Sequence, residues 1–575
     1  MCGILIYHSN KITISLEKNF IKSLKYMKNR GPDETLIYKN KKCLIGFNRL
    51  SINNISNGSQ PFESKCGKYI LVFNGEIFNY KDLERELNKK GIKTDNASEI
   101  EIIFNYYKLY GSNCVKFFKG FFAIIIFDRY KNSFFSSVDR LGIKQIYYYH
   151  SRIDNLLILT SDYSHLIKYP IFNLEINRTS LMNFFCLGRT FGGETLFKNV
   201  FDLNPGFTLR YSKKNGIKIK RYWHNFSSSN LKKDSKENLN SVFNKIYLSS
   251  NKLWKKSELQ ISNTLSTGTD SNLINYGFSK NKISNKKFSI LEGTKNAKNK
   301  PRDINQEKIN VILIFKELNK FIDKNKNPFV LANASSTALF QLYKSIKKKN
   351  IRVSFTGEGG DEIFGGYERY KKQLILLKYK KMNFDNHLIE LYKREIKLFA
   401  KLNNFISPIH VKVNLKRIIS SVSLNSKDLV NKILEFDQIT WLPMLLRKHD
   451  VIGMHYNIEV RPQLLDHELV NYINEIIPSD LKFNTKNNKI FLKRFLLKYA
   501  KLKIKKKIGT PSIIDGILRK KKYLKNIKKS LKESFFIKKY FKKNIFKDND
   551  IFKKNNSIFL WRLYLIGSMF QGKKF

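Results

Sequence analysis

Gln260 to Phe278 reads QISNTLSTGTDSNLINYGF: an apolar run ends at Leu265, small polar residues fill Ser266 to Ser271, and a helical pattern follows from Asn272. A small-residue loop between a strand and a helix aims backbone N–H groups and the helix N-terminus at an anion, so this turn is predicted to bind phosphate. Further apolar strands are predicted at Phe288 to Leu291 and Ile351 to Thr356, with long helical segments between them. That alternation is the pattern of a parallel sheet covered by helices. The last strand runs into Thr356 to Tyr367, TGEGGDEIFGGY, which carries more glycine than a structural turn needs. Ligands of open parallel sheets bind beyond the carboxyl ends of the strands, so the two loops are expected to meet there.

The half that precedes this region reads differently. Short β-rich runs at Ile4 to Tyr7, Tyr69 to Phe73 and Phe121 to Phe127 alternate with two helical patterns. One carries Leu16, Phe20, Leu24 and Met27 and is broken by Arg30-Gly31-Pro32; the other runs from Tyr80 to Lys90 and is closed by Gly91. Ser98 to Glu101 has the Ser-x-x-Glu form of a capping box. At 575 residues two domains are the natural expectation. The predicted boundaries are an α+β domain over 2–224, a polar linker over 225–238, an α/β domain over 239–530 and a basic, solvated helical tail, packed by its aromatics, over 531–575.

The formal net charge of +60 fits either a nucleic-acid binder or a general preference for lysine, and the lysines form no single stripe. Nucleic acid is therefore not the expected partner. The longest clearly apolar run, Phe121 to Phe127, is far short of the ~20 residues that span a bilayer, so no membrane is expected. The five cysteines are odd in number and lack metal-ligand spacing, which fits a reducing, cytoplasmic setting.

Cys2 has a position that suggests chemistry. Once the initiator methionine is removed, its own α-amine, with a reference pKa near ~8, can act as general base for its thiol. With Cys2-Gly3-Ile4, Arg30-Gly31-Pro32-Asp33, Arg49-Leu50-Ser51-Ile52, Gln60-Pro61, Asn74-Gly75-Glu76 and Asp139-Arg140-Leu141-Gly142, the first half resembles the glutamine-hydrolysing domain of class II amidotransferases, particularly the asparagine synthetases. The resemblance implies an N-terminal nucleophile hydrolase sandwich in which Cys2 attacks the glutamine amide while Asn74 and the Gly75 backbone amide hold the oxyanion. Asn-Gly after a strand is read as a tight turn presenting N–H donors. Arg49 is expected on the glutamine α-carboxylate, where a guanidinium fork offers two hydrogen bonds. Glu76 and Glu99 join it as glutamine-binding residues, Glu99 standing where the family usually has Asp.

The second half resembles the ATP pyrophosphatase-type domain of the same family, whose loop is usually Ser-Gly-Gly-x-Asp-Ser. Thr267 departs from it, and in a left-handed backbone conformation threonine would cost about 1–2 kcal/mol. The resemblance places ATP on Leu265, Ser266, Gly268, Asp270, Ser271, Ser289, Ile290, Gly357 and Glu358. It places Mg²⁺ on Asp270 and Asp361, a base role on Glu358 and a phosphate-stabilising lysine at Lys507. The implied reaction takes ammonia from glutamine and joins it to an aspartyl-adenylate, giving asparagine, AMP and pyrophosphate; a homodimer is allowed. Val451, Gln463-Leu464 and the absence of an acidic pattern over Glu292 to Asn299 leave open a different carboxylate acceptor, such as a sugar acid. Thr267 and the basic tail leave open a catalytically silent binding protein.

Overall fold

The computed structural model describes residues 2–53, 55–94, 97–226, 236–291, 304–384, 386–388, 390, 424–502, 514, 520–540 and 557–571. The run Gly120–Asp128, GFFAIIIFD, shows why the first half is layered as it is. Its alternate side chains Ala123, Ile125 and Phe127 pack with Ile4, Ile6, Ile45 and Phe47 of a facing sheet. The intervening Phe122, Ile124 and Ile126 pack with Ile100 and Ile103 of helix Glu99–Tyr110. A strand covered on both faces has no polar alternation, and a continuous apolar run is the result.

Among the described residues this half holds two antiparallel sheets of six strands each. The first has the spatial order Val200–Asp202, Tyr147–Ser151, Leu156–Thr160, Gly3–Ser9, Cys43–Arg49 and Glu34–Lys39. The second runs Gly216–Arg221, Phe207–Ser212, Ser133–Val138, Gly120–Asp128, Tyr69–Ile77 and Phe62–Glu63. Helix Ile14–Tyr26, capped by the Thr13 side chain, covers the outer face of the first sheet through Phe20 and Leu24. The order is helix, sheet, sheet, helix, the expected α+β nucleophile-hydrolase sandwich.

The second half is α/β. Among the described residues its sheet has five parallel strands, in the order Ile304–Lys308, Lys286–Leu291, Ile261–Thr264, Val353–Phe355 and Glu459–Arg461. The chain proceeds outward from Ile261–Thr264 in one direction and then returns to its other side. The switch point therefore lies between Ile261–Thr264 and Val353–Phe355, and the two predicted loops leave those neighbouring strands. Ile304–Lys308 and Glu459–Arg461 were not anticipated; the latter is only three residues long and carries two charges.

Asn225 and Phe226, expected in the linker, are buried, and the Asn225 carbonyl accepts from Asn474 Nδ2 at 2.8 Å. Helix Lys236–Trp254 then follows, and the intervening 227–235 lie outside the described residues. Within the expected tail, helix Ser557–Met569 is buried along nearly its whole length. Trp561 Nε1 donates to the Leu331 carbonyl at 2.9 Å, and Arg562 Nη1 to the Phe185 carbonyl of the first half at 2.8 Å. The expected packing by aromatics is there, with Phe559, Trp561 and Tyr564 buried, but this helix is not solvated.

Asp450 joins the halves. It accepts from Arg30 Nη2 at 2.8 Å and from Lys144 Nζ at 3.3 Å, and all three side chains are at most 3% exposed. Burial alone would push the Asp450 carboxyl up, but Arg30 and Lys144 outweigh it and hold it below the usual carboxylate range. Removing one member of a buried ion cluster strands the others, at a cost of about 3–5 kcal/mol. Asp450→Asn is accordingly expected to lower the thermal unfolding midpoint and to speed proteolytic cleavage between the halves; unchanged midpoint and cleavage would show that the cluster does not hold them.

Candidate active site

Cys2 precedes the central strand Gly3–Ser9 and is 9% exposed, at a small cavity of ≈ 50 Å³. Its backbone nitrogen donates to Asn74 Oδ1 at 2.7 Å. That bond fixes which way the Asn74 amide faces: Nδ2 is left buried without a partner, a donor available to an oxyanion. Burial pushes the Cys2 thiol up, a backbone hydrogen bond at Leu50 opposing it in part, so the thiol needs a base to react at neutral pH.

Asn74 and Gly75 do not form a turn. Both lie inside strand Tyr69–Ile77, paired with Ala123 and Phe122. Gly75 has φ 148°, and a Cβ there would stand 2.0 Å from the Phe121 carbonyl oxygen. Close approach of the neighbouring strand, rather than turn geometry, is what demands glycine.

Arg49 ends the strand Cys43–Arg49 and is buried on the cavity wall, donating to the Ile55 carbonyl at 3.2 Å. Glu99 opens its helix behind Ser98, whose capping box with Glu101 is formed as predicted. Glu99 Oε1 accepts from the Ile77 amide at 3.2 Å. Glu76 accepts from Asn53 Nδ2 at 2.5 Å. Of the predicted glutamine-binding set, Arg49, Glu76 and Glu99 line one cavity with Cys2, and Asn74 adjoins it through its bond to the Cys2 nitrogen.

Two residues the sequence did not assign complete that cavity. Glu459, from the edge strand of the parallel sheet, lines it. Arg461, fully buried beneath, donates through Nε to Glu459 Oε1 at 2.7 Å and places Nη2 3.7 Å from Glu76 Oε1. Glu459 and Glu76 thus flank one guanidinium, and Glu99 lines the same cavity. Burial, reinforced by Glu459, pushes Glu76 up to about 7, and burial with Glu76 raises Glu99 far above its ordinary value. The sequence marks Glu459 and Arg461 by a Glu-x-Arg pair, Glu459-Val460-Arg461, within a segment that resembles the family, without assigning either a role.

At the other centre, Ser266 to Gly268 follows Ile261–Thr264 and leads into helix Thr269–Lys280, with Gly268 as its N-cap. Ser271 Oγ accepts from the Ser266 amide at 3.0 Å, and Ser266 Oγ from the Gly268 amide at 3.1 Å. Leu265 is tied to Phe288 of the adjacent strand by a backbone bond of 2.8 Å, and that strand carries Ser289 and Ile290 beside the loop. Thr267 is exposed and does not adopt a left-handed conformation, so the anticipated penalty does not arise.

Asp270 and Asp361 are brought together by Lys489. Its Nζ lies 2.6 and 2.5 Å from the two Asp270 oxygens and also pairs with Asp361 Oδ1. Glycines permit this convergence: a Cβ on Gly360 would meet Asp270 Oδ1 at 2.5 Å, and one on Gly366 would meet Asp361 Oδ1 at 1.9 Å. Lys489 was not singled out, because one lysine among so many carries no local mark. Lys507 lies outside the described residues. Gly357 and Glu358 follow Val353–Phe355 on the same rim, with Glu358 Oε1 2.5 Å from His449 Nε2.

Residues 1–223 match a family model described as a glutamine amidotransferase domain, and residues 301–565 one described as asparagine synthase. A putative glutamine-hydrolysing asparagine synthetase 2 of Methanocaldococcus jannaschii is 30% identical over 411 residues, covering 64% of this chain and 76% of that protein. The chain belongs to the asparagine synthetase family. Glutamine-hydrolysing asparagine synthetases 3 and 1 of Bacillus subtilis (strain 168) are 25% and 26% identical. The first match covers 86% of this chain and 84% of the relative, the second 98% and 96%. A B. subtilis phosphoribosylpyrophosphate amidotransferase structure is similar only at TM-score 0.30 and 13% identity, over 49% of this chain and 64% of that one, too slight to carry an argument.

The raised Glu76 and Glu99 carboxyls have a consequence for pH. An ammonium group entering the cavity favours their ionised forms, so protonation below about 7 opposes it. The KM for glutamine is expected to rise as pH falls through 7, and Glu76→Gln is expected to flatten that dependence. Steady-state glutaminase kinetics between pH 5.5 and 8.5 provide the check, and an identical slope in the variant would contradict it.

Proposed function

We propose that this protein makes asparagine from aspartate, with glutamine as nitrogen donor and ATP as activator. The supporting observation is the strand Glu459–Arg461, which lines the cavity of Cys2 with one residue and accepts from the Thr356 amide, at the mouth of the nucleotide loop, with another. The two centres share an element, as an enzyme that passes nitrogen between them requires.

In this reading the α-amine of Cys2, freed by loss of the initiator methionine, takes the thiol proton. The sulfur attacks the glutamine amide carbon; Asn74 Nδ2 and the Gly75 amide hold the oxyanion, the C–N bond breaks and ammonia leaves a thioester that water hydrolyses to glutamate. Arg49 holds the α-carboxylate, and Glu76 and Glu99 the α-ammonium. At the second centre the aspartate side-chain carboxylate attacks the α-phosphorus of ATP and releases pyrophosphate. Ammonia attacks the acyl-adenylate, the C–O bond to AMP breaks, and Glu358 accepts the surplus proton.

The nucleotide lies against Leu265, Ser266, Gly268, Ser271, Ser289, Ile290 and Gly357. Asp270 and Asp361 would hold Mg²⁺: two carboxylates suit an ion that binds one or two protein oxygens and completes its shell with phosphate and water. Bound there, it neutralises charge on the pyrophosphate. Their pairing with the Lys489 ammonium supports a cation at this position. The assigned domains are 2–224 for glutamine hydrolysis and 239–530 for synthesis.

Two departures from the family pattern are packing features. Gln463 is buried and accepts from Asn251 Nδ2 at 3.2 Å, and Val451 packs on the main core. Glu292 to Asn299 lies outside the described residues. The test incubates the protein with glutamine, Mg-ATP and aspartate and follows asparagine, AMP and pyrophosphate by mass spectrometry. Cys2→Ala is expected to lose glutamine-dependent synthesis and keep synthesis from ammonium; loss of both would refute separate centres, and pyrophosphate release with sugar acids but not with aspartate would transfer the reading to that acceptor. Lys489→Met is expected to depress pyrophosphate release at least tenfold while leaving glutamine hydrolysis intact; equal loss of both would assign Lys489 a purely structural part.

A further inference from the structure

Helix Leu442–His455 touches both halves of the chain, and two consecutive residues on it face different partners. Asp450 binds Arg30 and Lys144, whereas His449 lies between two groups of the second half. His449 Nε2 stands 2.5 Å from Glu358 Oε1, and His449 Nδ1 stands 2.5 Å from the Tyr343 hydroxyl. Tyr343 and His449 are buried, at 0% and 5% exposed. Glu358, His449, Asp450 and Ile143 all border one small cavity of ≈ 10 Å³.

The hydrogen bonds determine the tautomer. An ionised carboxylate only accepts, so Nε2 must carry a proton; in a neutral ring Nδ1 is then an acceptor, and the Tyr343 hydroxyl must donate to it. Burial keeps the imidazole neutral against the pull of Glu358, and burial also keeps the Tyr343 hydroxyl protonated. The charged groups facing the ring are Glu358 and Lys448, whose Nζ lies 3.6 Å from the same Glu358 oxygen.

We propose that His449, locked by Tyr343, is a positioning residue for Glu358, fixing its orientation and favouring its ionised form as nitrogen is transferred. The inference rests on the base role given to Glu358 above and adds the pair that sets it. A donated hydrogen bond stabilises the charged carboxylate, so its loss raises the carboxyl pKa and moves the acid limb of nitrogen transfer to higher pH.

Two measurements test this. In protein labelled with ¹⁵N-histidine, His449, identified by the signal missing from His449→Gln, is expected to show a protonated Nε2 and a bare Nδ1 from pH 6 to 8. A ring protonated on Nδ1, or titrating near 6.5, would overturn the proposal. In ammonium-dependent synthesis, His449→Leu is expected to shift the acid limb of kcat upward by about one pH unit, a tenfold loss on that limb. His449→Gln, which keeps a donor, should retain the wild-type limb. Tyr343→Phe should shift it in the same direction as His449→Leu. An unshifted limb in His449→Leu alongside an impaired Glu358→Gln overturns this inference alone, whereas full activity in Glu358→Gln overturns the base role itself.

Discussion

The structure depends on charges placed where water cannot reach them. Asp450 holds Arg30 and Lys144 across the boundary between the halves, and Arg461 holds Glu459 and approaches Glu76 under the glutamine cavity. Such groups are expensive to bury singly and become tolerable only as satisfied clusters. Each cluster draws members from both halves, so neither half can be displaced without stranding a charge. The two chemical centres are thus tied together through buried charge.

The same principle shapes the centres. Three carboxylates line the Cys2 cavity against the guanidiniums of Arg49 and Arg461, and burial together with that excess of negative charge raises the Glu76 and Glu99 carboxyls. A cationic ligand group would relieve it. At the nucleotide loop the excess is also anionic, with Lys489 bridging Asp270 and Asp361. Both centres thus gather buried carboxylates around a basic side chain, a setting that favours a further cationic group.

Much of this was legible in the sequence because it depends on local pattern. The unbroken apolar run Phe121 to Phe127 required cover on both faces, and the small-residue loop after Gln260 to Leu265 required a strand behind it and a helix ahead. The capping box at Ser98 and Glu101 is encoded within four residues. What escaped reading depends on long-range proximity. Glu459 and Arg461 gain their role only because their short strand lies at the sheet edge facing the first half. Lys489 reaches Asp270 across more than 200 positions of chain, and no lysine in so basic a sequence announces such a partner. Asn74-Gly75 was misread as a turn because the glycine is required by an adjacent carbonyl, which sequence spacing cannot reveal.

Helix Ser557–Met569 carries an implication for biosynthesis. Its Trp561 and Arg562 side chains cap carbonyls of Leu331 and Phe185, residues synthesised hundreds of codons earlier. Until that helix emerges from the ribosome, those carbonyls and the apolar surface around them have no cover. Closure of that surface during synthesis is therefore set by the arrival of this helix rather than by the segments it covers.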